Sequence, residues 1–415
     1  MSMAQAHTPA LPRLPAFAGF AAMLAAAGLP LYIHAPKFYV DQYGVSLAAL
    51  GAVLFGLRLL DVVQDPLLGR LSEALRAHRA AAVAAAVAVL AGAMLGLFAV
   101  TPPVAPLLWF TLMLTLVFSS FSFLTISFYA QGVETADRLG TAGHLRLARW
   151  RETGALLGIC LAAVVPTALI GLTAQPLAAF ALGFAVLALL AAGAMRAEWN
   201  AAHMPAASGF GPVLRDRISR RLLFIGFLNA APVAVSSTLF LFFVESRLSA
   251  PGAEGPLLLL FFLSAAAAAP FWGRTAERYG ATKVLGLGMT LSILAFGFAL
   301  TLGAGDVVPF ALICLASGAA LGADMTLLPA LFAARMARVA PTAAEGFGLW
   351  SFVSKLTLAF AAVLLLPALE GAGFQAGTAN PPQALTLLTL FYAALPCGLK
   401  ALALALLATT DLEET

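Results

Sequence analysis

Charge is what this sequence has least of. Asp, Glu, Lys and Arg make up only 10% of its 415 residues, where a soluble domain carries about 25%. A surface that poor in charge cannot face water on every side. Histidine is scarce too, with 5 residues. No Ser/His/Asp set, metal-ligand cluster or phosphate-cradling glycine loop appears, so nothing points to an enzyme. The 3 cysteines, Cys160, Cys314 and Cys397, lie far apart in apolar stretches. Their spacing suits neither a disulfide nor a metal site, and they read as small core residues.

What fills the chain instead is apolar. Hydrophobic residues make up 62%, and the mean hydropathy is +0.96. A bilayer core about 30 Å thick needs roughly 20 apolar residues per helix, which leaves room for about a dozen spans. The apolar runs place them at roughly 15–38, 45–69, 80–101, 106–131, 152–172 and 175–195, then at roughly 222–244, 256–273, 282–303, 307–334, 346–367 and 383–407. The first run, Phe17 to Ile33, is too long for the core of a cleavable signal and reads as the first span. Pro102-Pro103, Gly305-Asp306 and Asn380-Pro381-Pro382 punctuate the turns.

The formal net charge of +4 does not signal nucleic-acid binding, because the basic residues follow a different order. With the N-terminus inside, Arg70, Arg76, Arg79, Arg138 and Arg146 fall in cytoplasmic loops, and so do Arg196, Arg215, Arg217, Arg220 and Arg221. Arg274, Arg278, Lys283, Arg335 and Arg338 follow. The opposite side receives only Lys37 and Arg247. This is the positive-inside bias. It implies an even number of spans with both termini cytoplasmic, in a bacterial inner membrane.

One octet recurs. Pro66-Leu67-Leu68-Gly69-Arg70-Leu71-Ser72-Glu73 returns as Pro270-Phe271-Trp272-Gly273-Arg274-Thr275-Ala276-Glu277, an offset of 204 residues from Pro66 to Pro270. That is close to half the chain. Each copy follows a span at the cytoplasmic side. The expected architecture is therefore all-α, twelve transmembrane helices in two six-helix bundles: residues 1–195, a cytoplasmic connector over 196–221, and residues 222–415. Parallel six-helix repeats of this kind are the plan of the major facilitator fold. Gly69 and Gly273 would allow close approach. Arg70, Glu73, Arg274 and Glu277 are expected to form ion pairs that gate the cytoplasmic side.

A few charges fall where lipid should be. In the second span, Arg58 and Asp65 lie about 20° apart on a helical wheel, with Asp61 about 60° to one side. A charge at membrane depth costs at least about 2.5–3.5 kcal/mol, so this face must meet a partner or a wet cavity. Two carboxylates one turn apart suit Na⁺, Li⁺ or a proton. The alternative is a structural ion pair between Arg58 and Asp65. Lys355, mid-way along the eleventh span, needs a carboxylate, and Asp61 and Asp65 are the natural candidates. Asp324 in the tenth span is a further deep acid, either lining a substrate cavity or hydrogen-bonded in the structure. Arg58 and Lys355 against Asp61, Asp65 and Asp324 leave one negative charge over, which an added cation would balance. Arg151 opens the fifth span, either as a cavity ligand or paired with Glu152 at the interface. Asn229, with Pro232 close behind, suggests a kinked cavity-lining helix or a bond to a neighbour. Thr125 lies in the polar stretch Ser119 to Ser127 of the fourth span and counts as a cavity candidate.

These residues resemble the glycoside-pentoside-hexuronide:cation symporters, the melibiose permease branch of the major facilitator superfamily. Three features carry the resemblance: Phe38 to Val45 after the first span, Arg58-Leu59-Leu60-Asp61 with Asp65-Pro66, and Lys355. It implies that Asp61 and Asp65 bind the coupling cation, with Lys355 beside them, and it matches Arg151 to a substrate-contacting arginine. The sequence departs from the family where those carriers grip sugar with acids. Met23 to Ala27 and Ser119 to Ser127 contain none. A less hydroxylated or anionic solute fits that change.

The function these features imply is a secondary transporter coupling Na⁺ or H⁺ to a small solute by alternating access, as a monomer in a lipid bilayer. No other cofactor, structural metal or nucleic acid is implied. A proton-coupled exporter or lipid carrier is the rival within transport. A non-transporting receptor or assembly factor on the same fold is the rival outside it.

Overall fold

The computed structural model describes residues 12–140, 142–199, 209–340, 343–374 and 380–410. Some side chains inside those helices, that of Arg58 among them, also fall outside the described residues. Among the described residues, twelve long helical rods follow one another. The first six are α1 (Leu14–Tyr43), α2 (Leu47–Ala74), α3 (Arg79–Phe98), α4 (Pro106–Asp137), α5 (Gly143–Ala168) and α6 (Pro176–Met195). The second six are α7 (Arg217–Phe242), α8 (Glu254–Tyr279), α9 (Ala281–Gly297), α10 (Val307–Val339), α11 (Ala344–Gly371) and α12 (Pro382–Ala408). Among the described residues, eight of these (α3, α4, α6 to α10 and α12) are long and apolar enough to cross a membrane.

Helix ends follow local chemistry. Ser46 caps α2 by accepting from the Ala49 amide at 3.2 Å, while proline opens α1, α4, α6 and α12. Two helices start earlier than their apolar runs suggest. The fifth begins at Gly143 instead of 152, and the seventh at Arg217 instead of 222. In both, a basic first turn that resembles loop in sequence continues the helix beyond the apolar stretch. Asp216 fixes the second case by accepting from the Ser219 amide at 2.7 Å. The same carboxylate takes two bonds from Arg335 at the end of α10, at 2.6 and 3.0 Å. The Arg335 bonds hold the Asp216 carboxyl at about 2, below its ordinary 3.8. The stability that this clamp contributes is therefore present above about pH 4 and lost as the pH falls towards 2.

Within each half, one helix pair is drawn together by small residues. A Cβ on Gly154 or Gly158 of α5 would lie 2.1 or 2.2 Å from the carbonyl oxygens of Ala18 or Ala22 in α1. In the second half, a Cβ on Gly318 or Gly322 of α10 would lie 2.2 or 2.7 Å from the carbonyls of Phe261 or Ala265 in α8. Both pairs are spaced Gly-x-x-x-Gly, the arrangement that lets backbones touch where lipid supplies no hydrophobic drive.

The two halves share their buried apolar clusters unevenly. At the face carrying the arginine loops, Ile126, Ala130 and Val133 of α4 pack with Phe332 and Met336 of α10 and Phe347 of α11. Further along, Leu156 of α5 meets Ala265 and Ala269 of α8. The remaining large clusters each belong to one half, from Ala16 to Trp199 and from Ala234 to Ala393. The molecule is thus sealed between its halves at the arginine-rich face.

Replacing Gly158 by leucine should destabilise the protein by about 1–3 kcal/mol or more, because the α1 backbone has nowhere to go. Gly92→Leu, at an exposed site with nothing near its Cβ, should change stability by less than about 0.5 kcal/mol. Thermal unfolding of both variants in detergent checks the contrast, and equal melting temperatures would contradict the close crossing.

Candidate ion and solute site

Helix α2 presents two chemically opposed faces. Leu59, Val63 and Leu67 are exposed, while Asp61 and Asp65 are buried. The acids do not point at lipid because α11 lies against them. At their crossing, a Cβ on Gly69 would stand 3.0 Å from the Ala344 carbonyl, and one on Gly348 would stand 3.0 Å from the Asp65 carbonyl. That backbone contact puts Ser351 and Lys355, one turn apart on α11, within reach of Asp65.

The Lys355 ammonium lies 3.1 Å from each carboxylate oxygen of Asp65 and 3.5 Å from Asp61 Oδ2. It also donates to Ser122 Oγ on α4 at 2.6 Å. Ser351 Oγ donates to Asp65 Oδ2 at 2.5 Å. Gln64 Nε2 donates to Asp61 Oδ1 at 2.7 Å, and Gln64 Oε1 accepts from Ser119 Oγ at 2.9 Å. One ammonium from the second half therefore sits between two carboxylates of the first. Asp65 is held by a cation and a hydroxyl, and Asp61 by an amide and the more distant edge of the ammonium. Arg58 belongs to the same helix, and its side chain falls outside the described residues.

Arg151 is elsewhere. Its Nε donates to Glu152 Oε1 at 2.8 Å, and its guanidinium lies 3.7 Å over the Tyr129 ring. The Tyr129 hydroxyl donates to the same Glu152 oxygen at 3.1 Å. Of the two sequence alternatives the Glu152 pair is present, but it is buried and not at an aqueous interface. Among the described residues, Arg151 Nη2 and Thr125 Oγ1 are both buried without a hydrogen-bond partner.

Asp324 and Asn229 come together around a residue that the sequence reading passed over. Lys400 of α12 bonds Asp324 Oδ2 closely and donates to Asn229 Oδ1 at 2.7 Å. All three are buried. In the sequence Lys400 lies toward the end of the last apolar run, where a lysine can equally reach the headgroups. Its presence corrects the expected tally of deep charges: Asp324 already has its cation, and no extra ion is needed to balance it.

The repeated octets differ from expectation as well. Glu277 reaches across the halves to Arg149 at 3.0 Å, and Gly273 packs on that arginine so closely that a Cβ on it would stand 2.9 Å from the Arg149 Cβ. In the first copy, Glu73 pairs with Arg76 at 3.1 Å within its own half, and the Arg70 guanidinium lies 4.6 Å from the Phe210 ring centre in the connector. Arg274 is exposed. At Gly69 the halves meet through backbone contact instead.

The sequence matches the MFS/sugar transport protein family over residues 15–414. The chain belongs to that family. Solved structures of transporters in this superfamily share its fold throughout. One is a bacterial homologue of the iron transporter ferroportin in an outward-facing state, at TM-score 0.68 and 16% identity, covering 96% of this chain and 99% of that one. The same homologue soaked with iron gives 0.69 and 15%, covering 98% and 100%. The E. coli fucose:proton symporter gives 0.61 and 14%, covering 94% and 97%. No curated protein matches the sequence. As a member of the MFS/sugar transport protein family, the chain is a multi-pass membrane transporter.

Lys355→Met should leave Asp65 buried with one neutral donor and cost stability toward the lower end of about 3–5 kcal/mol. Adding Asp65→Asn to it should recover much of the loss. Melting temperatures of the two singles and the double form the cycle that checks this. Additive effects would mean that the two side chains do not interact.

Proposed function

We propose that the protein is a cation-coupled symporter that moves a small solute by alternating access, with Asp61 and Asp65 as the site for Na⁺ or H⁺. The observation that carries this reading is the Lys355 ammonium lodged between the two carboxylates. Two acids one turn apart repel when both are charged, and burial adds to the cost, so the pair demands a positive charge. Lys355 supplies one from the other half of the molecule. An incoming cation takes its place, and the bond that ties α11 to α2 is then released. Binding and conformation become linked because the cation prefers the state from which the lysine has withdrawn.

The sealed arginine-rich face supports the rest of the cycle. With the positive-inside rule assigning that face to the cytoplasm of a bacterial inner membrane, the described conformation is closed inward and receives ion and solute from outside. The ferroportin homologue of similar fold is described as outward-facing, and the fucose carrier as a proton symporter. Arg151, with one buried nitrogen unpartnered among the described residues, is a candidate for contact with the solute.

Purified protein should gain thermal stability with Na⁺, with added protons antagonising the effect, or with protons alone if H⁺ is the coupling ion. Asp61→Asn should abolish that response while leaving a folded protein, since an amide removes charge without opening a void. Asp65→Asn should abolish it with further loss of stability, because it strips Lys355 of its closest carboxylate. An Asp61→Asn protein that keeps the full cation response would make the α2 acids structural.

A further inference from the structure

The second half contains a polar centre that the cation reading does not use. Asp324 Oδ2 is bound to Lys400 and the Asn229 side chain lies beside the same carboxylate, but among the described residues Oδ1 is buried with no hydrogen bond. A buried carboxylate oxygen without a donor is costly unless something supplies one. Both Asp324 and Lys400 line a half-open cavity of about 50 Å³ between α7, α8, α9, α10 and α12. At about 10–15 Å³ per water-sized centre, it holds a group of roughly three to five heavy atoms. Ser236, Ser292 and Ser317 also line it, along with Phe261 and Phe296. The Ser317 hydroxyl proton is already given to the Ile313 carbonyl at 2.6 Å, so its oxygen remains as an acceptor.

Two of the enclosing helices are irregular at this level. Pro232 interrupts α7. In α12, a π-turn over Leu390–Ala394 comes just before Pro396. Such turns are frequent where helices build sites, and here the irregular segment leads directly to Cys397 and Lys400 on the cavity wall.

We propose that this cavity is a second ligand site, taking a neutral group that donates hydrogen bonds, the hydroxyl-bearing end of a small polyol, to Asp324 Oδ1. Charge decides the class. The Asp324–Lys400 pair is already compensated, so a bound cation or anion would leave a net charge in a low-dielectric interior. A hydroxyl satisfies the orphaned oxygen without that cost, can accept or donate at the serines, and presents its C–H faces to Phe261 and Phe296. Calling this group the transported solute rests on the transport reading above. The site itself does not.

Cys397 lies on the cavity wall and serves as its reporter. The test uses full-length protein in detergent without Na⁺, with Cys160 and Cys314 replaced by alanine, and follows reaction of Cys397 with methyl methanethiosulfonate by intact mass. Ethylene glycol near ten times its dissociation constant should slow the reaction about tenfold. Methylammonium and acetate of similar size should not. Protection should vanish in Asp324→Leu/Lys400→Met, which removes the pair without stranding a charge, and persist in Asp61→Asn, which disables the proposed cation site. Equal protection in the double variant overturns the proposal, as does protection by methylammonium instead. A Cys397 that never reacts overturns it too, because the cavity then admits nothing of this size.

Discussion

Everything at the centre of this molecule depends on one condition: a charge held at membrane depth must find an opposite charge on another helix. Asp65 meets it with Lys355, 290 residues later in the chain, and Asp324 meets it with Lys400. The first pair spans the two halves and the second lies within one half. That difference separates their consequences. A bond between halves is broken and remade when the halves move, whereas a bond inside a bundle travels with it. The first suits an ion that reports on conformation, the second a fixed platform against which a ligand can rest.

The bonds are possible only because backbones come close, and glycine sets that distance. Gly69 and Gly348 bring α2 against α11, and without that contact Ser351 and Lys355 would stand too far from Asp65. The Gly154/Gly158 and Gly318/Gly322 crossings do the same within the halves. They join α1 to α5 and α8 to α10, and α5 and α8 in turn meet where the halves join. Between the halves, apolar contact is concentrated at one face.

The sequence made some of this legible and hid the rest. Twelve spans and the duplicated plan were readable because lipid leaves few alternatives for an apolar chain of this length. Lys355 beside the acids of α2 was readable because an unpaired charge in that position is so expensive. Lys400 was not, since a lysine a few residues from the end of an apolar run is ordinarily read as reaching for the headgroups. The early starts at Gly143 and Arg217 were hidden by basic residues that serve equally well as loop or as an exposed first turn. The Gly-x-x-x-Gly crossings were present in the letters, but which helix each glycine touches is a fact of three dimensions. The fate of Arg151, stacked on Tyr129 instead of resting at an interface, likewise needed the partner helix.

The segment between the halves is more than a tether. Phe210 lies beneath Arg70 of the first half, and Asp216, six residues on, is clamped by Arg335 of the second. A strap fastened at both ends across a seam behaves as a latch. When the arginine-rich face parts, either the ring slides from the guanidinium or the carboxylate leaves its fork, and the barrier to opening includes whichever gives way. Under the proposed alternating access, the rate of turnover is then partly written into a few polar residues outside the membrane, remote from the ion and solute sites.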